Sequence, residues 1–434
     1  MTLDGPHGRP ARRFAVIGAG WAGLAAAVRL VQRGADVTLF EMAGQAGGRA
    51  RRVSTRAGDF DNGQHILIGA YTATLALMRT VGADPEALLL RRPLALVTPD
   101  GRGLQLPAGA AAPAFVRGVL GATGWRWPHR LALLRATAGW QLRGFNCAPS
   151  LTVQQLCARL PAAVHQDLIE PLCVAALNTP SDQASAQVFL RVLRDALFAG
   201  PGSADLLLPR VPLSTLLPDP ALRWLAAAGV PCHTGHRVQR LRLDNSDRWQ
   251  VDGDAFDGVV LACTATEAAR LTTALAPKWS TTALRLAYQP IVTAYLADTG
   301  LRLPQPMLAL PAGPAAPAQF VFDLGALGGT AGHFAFVVSG AAPALAQGLA
   351  ACGQTVLAQA RAVFNGAFLA PDASVLRHLS AERRATFACT PALDRPALQI
   401  LPGLVAAGDY LAGPYPATLE GAVRSGEAAA SALG

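Results

Sequence analysis

Lysine is almost missing from this chain. Lys278 is the only one among 37 basic residues, and 28 acidic residues leave a formal net charge of +9. An arginine bias of this kind follows genome composition, so it is poor support for a nucleic acid partner, and no nucleic-acid module is legible. A mild attraction to anionic membrane surfaces is the reading the charge supports. Cysteine is present but unpatterned. Cys147, Cys157, Cys173, Cys232, Cys263, Cys352 and Cys389 form no C-x-x-C pair. This argues against a disulfide framework and against a metal site, and for reduced thiols in a cytosol. No apolar run of about 20 residues occurs, which argues against a spanning helix. Yet 51% of residues are hydrophobic and the mean hydropathy is +0.30. That surplus predicts a large core, a greasy substrate tunnel or a surface that touches lipid. A chain of 434 residues predicts two domains.

What is present begins at residue 14. An apolar strand runs into Gly18-x-Gly20-x-x-Gly23, an Ala/Leu helix follows, and a second apolar run ends at Glu41. This spacing predicts a βαβ unit for a dinucleotide. Gly18 permits the tight turn, Gly20 lets backbone approach a pyrophosphate, and Gly23 lets the helix pack close on the sheet. The pyrophosphate then meets unpaired amides at the helix N-terminus, and Glu41 is placed for ribose hydroxyls. Arg12-Arg13 before the apolar run mimics a secretion signal, but cleavage there would destroy the fingerprint, so residues 1–10 are expected to be a short disordered leader. Gly47-Gly48-Arg49 then suits a second wrap of backbone, with Arg49 near phosphates.

Further along, Asp61 to His65 forms a polar knot beside an apolar run, as in a segment lining a pocket. Residues 115–143 interleave Trp125, Trp127 and Trp140 with Arg117, Arg126, Arg130 and Arg143. Two readings stay open there: a membrane-interface patch, or helices with ordinary core tryptophans. Residues 165–197 are patterned as helix with a break at Asn178-Thr179-Pro180-Ser181. Short strands are expected at 238–243, 249–251, 257–262, 288–297 and 333–339. The glycine-rich loop 325–332 has no helix fingerprint after it, so no second dinucleotide fold for a nicotinamide is expected. Near the C-terminus a strand ends in Gly408-Asp409, and Pro414 to Ala422 opens a helix. Gly421 would let a planar ligand lie against that helix. Asp409 either contacts ligand or caps the helix.

Together these segments resemble the FAD-dependent amine oxidase and phytoene desaturase superfamily. Within it, Asp61-Asn62-Gly63-Gln64-His65-Ile66-Leu67-Ile68-Gly69-Ala70-Tyr71, Pro171 to Pro180 and Gly413 to Gly426 resemble the bacterial squalene-associated FAD-dependent desaturases, the hydroxysqualene dehydroxylases. The resemblance implies an α/β fold: a Rossmann-like FAD-binding domain of the GR2 type with an inserted α+β substrate domain. The FAD domain would comprise residues 11–92, 206–270 and 396–434, and the substrate domain 93–205, mostly helical, and 271–395. FAD contacts are implied at Gly18, Gly20, Trp21, Ala22, Gly23, Glu41, Gly48, Arg49, Gly63, Gln64, Val238, Gly408, Asp409, Thr418, Leu419 and Ala422. The implied reaction is reductive removal of a hydroxyl from hydroxysqualene, with His65 as the proton-donor candidate and Gln64 or Tyr415 as alternatives. Implied partners are the apolar C30 substrate, a membrane surface at the cytoplasmic face, and neighbouring prenyl synthases. A carotenoid-type desaturase, an amine oxidase and a non-catalytic flavoprotein scaffold remain as other readings. The amine oxidase would need a flavin-facing lysine, and Lys278 sits in a Pro-Lys-Trp context that reads as a surface turn.

Overall fold

The computed structural model describes residues 11–434, so the expected leader lies outside the described residues. The chain opens with β1 (Arg13–Ile17), α1 (Trp21–Gln32) and β2 (Asp36–Glu41), and α2 (Thr72–Thr80) follows. A helical region then contains α3 (Ala111–Gly121), α4 (Trp127–Leu142), α5 (Glu170–Leu177) and α6 (Ala186–Phe198). Strands β3 (Cys232–Thr234) and β4 (Gly258–Leu261) come next. They are followed by β5 (Tyr288–Ala297), β6 (Met307–Ala309), β7 (Phe320–Asp323), β8 (His333–Val338) and β9 (Leu376–Phe387). The chain ends with β10 (Gln399–Leu401), β11 (Leu404–Ala406) and α7 (Leu419–Leu433).

Six strands make one sheet in the order β3-β2-β1-β4-β11-β10. All pairs are parallel except β10 with β11. The inner strands are continuous apolar runs because both faces are covered. The register sets Ile17 beside Phe40 and Leu261, and Leu261 beside Ala406. The carboxyl ends of four strands therefore share one edge, where ligands of such sheets bind. Helix α1 is Ala-rich because α7 lies close against it. A Cβ on Gly426 of α7 would collide with the carbonyl oxygen of Ala22.

The second sheet is antiparallel, in the order β6-β7-β8-β5-β9. Its Phe- and Val-rich strands support one apolar cluster that also takes in the helices. Phe115, Leu133, Trp140, Phe189, Tyr295, Phe320 and Phe387 belong to it. Asn178 joins the two parts. It ends α5 in the left-handed region at φ 46°, is buried, and its amide donates to Thr386 Oγ1 (2.9 Å) and Gln289 O. Its side-chain oxygen accepts from Gly340 N at 2.6 Å. Asn tolerates that backbone, and its short amide reaches three partners at once.

The structure settles one open reading and departs from the sequence reading at three points, each for a physical reason. Trp125 is 4% exposed and donates to Asp167, so of the two open readings the core tryptophan holds for it. Arg130 is spent on the carbonyls of Leu120 and Ala122 at the end of α3, not on solvent. The strand expected over 238–243 shortens to Leu241–Leu243. The C-terminal helix begins at Leu419, since Thr418 caps it by accepting from Gly421 N at 2.9 Å; Pro414 to Ala417 is a loop. A Cβ on Gly421 would strike Tyr415 O, so the approach of that loop by itself demands glycine there. All seven cysteines are unpaired, and no described helix is long and apolar enough to cross a membrane.

Candidate functional site

The aligned strand ends deliver Gly18, Glu41, Ala262 and Ala407 to one edge of the sheet. Gly18 has φ 111°, and a Cβ there would lie 2.6 Å from Ala262 O, so both the turn and the crowding demand glycine. A Cβ on Gly23 would collide with Gly18 O. Gly20 is different. Its backbone is extended, and an added Cβ would meet only Gly48 Cα, at 3.9 Å. No side chain caps α1 and no acid lies in its first turn, so its N-terminal amides have no side-chain partner. The two glycine loops are tied by Gly47 N donating to Ala19 O at 2.9 Å.

Glu41 organises this edge. Its two carboxylate oxygens accept from Ala19 N (2.7 Å) and Ala43 N (2.8 Å), and each retains a lone pair for a ribose hydroxyl. Trp21 is a core residue whose indole donates to Ala50 O, so only its backbone amide is available to a ligand; the same holds for buried Ala22. Val238 is buried among Phe256 and Trp249, with its carbonyl accepting from Arg270.

Arg49 also has protein partners: one guanidinium nitrogen donates to Asp409 Oδ1 and another to Ala385 O at 2.8 Å. Asp409 in turn is buried and does not cap α7, because Thr418 does. The pair clamps the N-terminal loop to the C-terminal segment. Burial lowers the Arg49 pKa, but the adjoining Asp409 carboxylate raises it further, so it stays charged. Arg51, two residues on, donates to Gly48 O while its Nε is buried without a protein partner.

The polar knot lies where the two sheets meet. Tyr295 of β5 donates to Asp61 O, and Ser380 of β9 donates to Asn62 O. Phe60 stacks on His378 at 4.7 Å. Gly63 is buried, and Gln64 and His65 are half-buried. His65 Nδ1 is 2.9 Å from Gly63 O. A carbonyl can only accept, so Nδ1 carries the hydrogen and Nε2 is left as an acceptor. Burial, and to a lesser degree the Arg49 charge, push the His65 pKa down despite that bond. His65 is therefore a neutral imidazole at neutral pH. Tyr415 belongs to another group of side chains. It sits between the guanidiniums of Arg191 (5.6 Å) and Arg424 (5.0 Å), beside Asp195.

Burial pushes the Asp61 carboxyl up to about 7, against the lowering effects of the Leu213 amide and Arg52. A carboxyl raised on folding holds its proton more tightly in the folded state. Its contribution is complete below the ordinary 3.8 and is lost as pH climbs through about 7. Asp61→Asn keeps an acceptor for Leu213 but removes the titration. Its melting temperature should exceed that of the unmodified protein at about pH 8 and match it at about pH 4. Melts that differ equally at both pH values would assign the proton elsewhere.

One acid escaped the sequence reading. Glu420 is fully buried and accepts from Ala73 N (3.0 Å), Thr74 N (2.9 Å) and Thr74 Oγ1 (2.8 Å), and from Arg424 Nε (2.7 Å). It caps α2, whose own N-cap residue Tyr71 offers no side-chain bond. The buried Tyr71 hydroxyl lies beside Thr418. The start of α2 is thus fixed to the start of α7. The only signal was an acid in the first turn of an apolar helix, which says nothing of a partner 346 residues away.

A family model described as flavin containing amine oxidoreductase matches residues 21–434. The chain belongs to that family. It is 28% identical to hydroxysqualene dehydroxylase of Rhodopseudomonas palustris, over 96% of each chain. It is 26% identical to the Zymomonas mobilis protein of the same name, over 96% of this chain and 97% of that one. A zeta-carotene desaturase of Zea mays is 33% identical, but over 25% of this chain and 20% of its own. Among solved structures, cyclohexylamine oxidase of Brevibacterium oxydans superposes with a TM-score of 0.68 at 16% identity, covering 98% of this chain and 99% of that one. The chain is an FAD-dependent oxidoreductase with the mixed α/β fold of this family.

The residues present fit that cofactor. No side chain lies within 4 Å of where a Cβ on Gly20 or Gly48 would be, so the backbone beside the α1 N-terminus is bare. Arg51 Nε, Thr293 Oγ1, Gln289 Oε1 and Tyr410 OH are buried without partners. Buried polar atoms are rarely left so, and a polar ligand is the ordinary remedy. Thr293 Oγ1 points toward Gly63, 3.9 Å from where a Cβ on that glycine would be. Tyr410 covers Gly408, where a Cβ would collide with its ring. Lys278, the chain's only lysine, is exposed at the start of the helix Pro277–Leu284. No lysine lies at the site.

Proposed function

We propose that this protein reductively removes the hydroxyl group of hydroxysqualene, giving squalene. The reading is carried by similarity along 96% of the chain to hydroxysqualene dehydroxylases, against 25% for a zeta-carotene desaturase. The substrate is a nearly apolar C30 alcohol. An apolar cluster that extends from the helical region to Ile66 and Tyr410 suits it.

The balance is simple. One C–O bond breaks, one C–H bond forms, and water leaves. Reduced FAD, when bound, supplies the hydride. The chain's own residues must exclude water from the carbon centre and give the departing oxygen its proton. Gly18, Gly20, Glu41, Gly48 and the amides of Trp21 and Ala22 would hold the cofactor. Gly63 and Gln64 would border its ring, as would Gly408, Asp409, Thr418, Leu419 and Ala422. His65 is the proposed proton donor, with Gln64 and Tyr415 as the alternatives. Neutral His65 must first acquire the proton, against its burial. The flavin-oxidation rate should therefore rise as pH falls below the ordinary imidazole value of 6.5. His65→Ala should retain FAD, slow that rate by about a hundredfold and flatten the pH profile. An unchanged single-turnover rate would remove His65 from the reaction.

The deciding experiment is anaerobic mixing of the reduced holoenzyme with hydroxysqualene. The yellow of oxidised flavin should return and squalene should appear. If the oxidised enzyme is instead bleached by a polyene such as phytoene, the carotenoid-type direction replaces this reading. A yellow protein inert to both lipids would make it a scaffold.

A further inference from the structure

Nine large hydrophobic side chains are exposed among the described residues, and five of them fall between residues 116 and 142. They are Val116 and Leu120 on α3, and Trp127, Leu131 and Leu142 on α4. Trp127 is 61% exposed and Leu142 89%. At about 100° per residue, Trp127, Leu131, Arg135, Ala138 and Leu142 fall within one arc about 80° wide. The stripe therefore runs the length of α4, about 22 Å at 1.5 Å per residue.

The patch on α3 and the stripe on α4 are one surface. Arg130 donates to Leu120 O at 2.6 Å, and its guanidinium lies 5.1 Å from the Trp127 ring. The same side chain thus holds the end of α3 against the start of α4. The inner faces of both helices are already used. Phe115, Val119, Leu133 and Trp140 lie in the cluster that reaches Tyr410. The outer stripe has no such partner among the described residues.

Charge identifies what covers it. Between Asp100 and Asp167 the sequence contains no acidic residue but seven arginines. Arg117, Arg126, Arg135 and Arg143 are exposed, and none has a carboxylate partner among the described residues. An apolar stripe flanked by unpaired cations, with a tryptophan at one end, is the pattern of a helix lying in a lipid interface. We infer that α3 and α4 dock this protein on an anionic bilayer surface, with Trp127, Leu131 and Leu142 in the acyl boundary and Arg117, Arg126 and Arg135 at the headgroups. Trp125 and Arg130 take no part, being committed to the core and to the helix junction. The inference stands on the outer face alone and does not depend on which lipid the enzyme transforms.

The test is flotation of FAD-loaded protein with vesicles of equal parts phosphatidylglycerol and phosphatidylcholine, without substrate. The unmodified protein should float with these vesicles and remain largely behind with pure phosphatidylcholine. Combined Trp127→Ser, Leu131→Ser and Leu142→Ser should reduce flotation at least about tenfold. Combined Arg117→Gln, Arg126→Gln and Arg135→Gln should remove the preference for the anionic lipid. Both variants change exposed side chains, so FAD content and melting temperature should stay as in the unmodified protein. Undiminished flotation of either variant would overturn the proposal. So would a halved solution mass of the lipid-free serine variant, which would make the face an interface between copies.

Discussion

Gly20→Val yields a folded but colourless protein. The expectation rests on the contrast among the three fingerprint glycines. Gly20 is extended, at φ −73° and ψ 179°, so valine is free to adopt its backbone. An added Cβ would touch nothing closer than Gly48 Cα at 3.9 Å, an ordinary van der Waals contact, so the branch point itself is accommodated. The branched side chain instead covers the bare backbone beside the α1 N-terminus, where the glycine fingerprint predicts the pyrophosphate. Losing one or two charge-assisted bonds to the α1 amides corresponds to about 3 kcal/mol, or roughly a hundredfold in FAD affinity. Flavin absorbance per protein after purification reads the loss, and the melting temperature of cofactor-stripped protein reads the fold. Gly23→Ala should do the reverse and lower stability outright, because its Cβ has no room beside Gly18 O. A yellow Gly20→Val protein with full FAD content would put the pyrophosphate somewhere else.

Glu420→Ala should be among the most destabilising single changes in the molecule. The carboxylate is fully buried and serves two α2 amides, the Thr74 hydroxyl and Arg424. Removing it strands those buried donors and leaves a cavity. The Arg424 side chain is 40% exposed and can turn to water, so the cost comes from the donors more than from the cation. A loss of about 3 kcal/mol is expected, read as a lower urea midpoint. Glu420→Gln, which keeps one acceptor oxygen, should lose about half as much. A midpoint shift no larger than that of an exposed Arg→Ala control would mean that α2 is capped without it. FAD affinity should fall along with stability in the alanine variant, because Glu420 itself joins the start of α2 to the start of α7.

The contrast between these two sites shows what was legible. The glycine fingerprint works through neighbours a few residues away, so spacing alone carries its meaning. Glu420 works through a helix 346 residues distant, and no local pattern reports that. The tryptophans of 115–143 make the same point. Three indoles in one Arg-rich stretch looked alike in sequence, yet Trp125 and Trp140 are buried and Trp127 is exposed. Only the packing of α3, α4 and their neighbours separates them. The assignment of Asp409 was open between ligand and helix cap. The structure excludes the cap, which Thr418 takes, and shows Asp409 paired with Arg49.

By itself the sequence determined the dinucleotide unit, its strand–turn–helix order and the glycines that must stay small, since each follows from backbone sterics within one βαβ segment. It also determined that no lysine other than Lys278 could serve the chemistry. The tertiary structure alone decided that Arg49 and Asp409 meet, that His65 is held neutral against Gly63, and that the apolar residues of α4 divide between a core and an outer stripe. Those outcomes depend on burial and on which distant segments come together, and composition and spacing do not encode either.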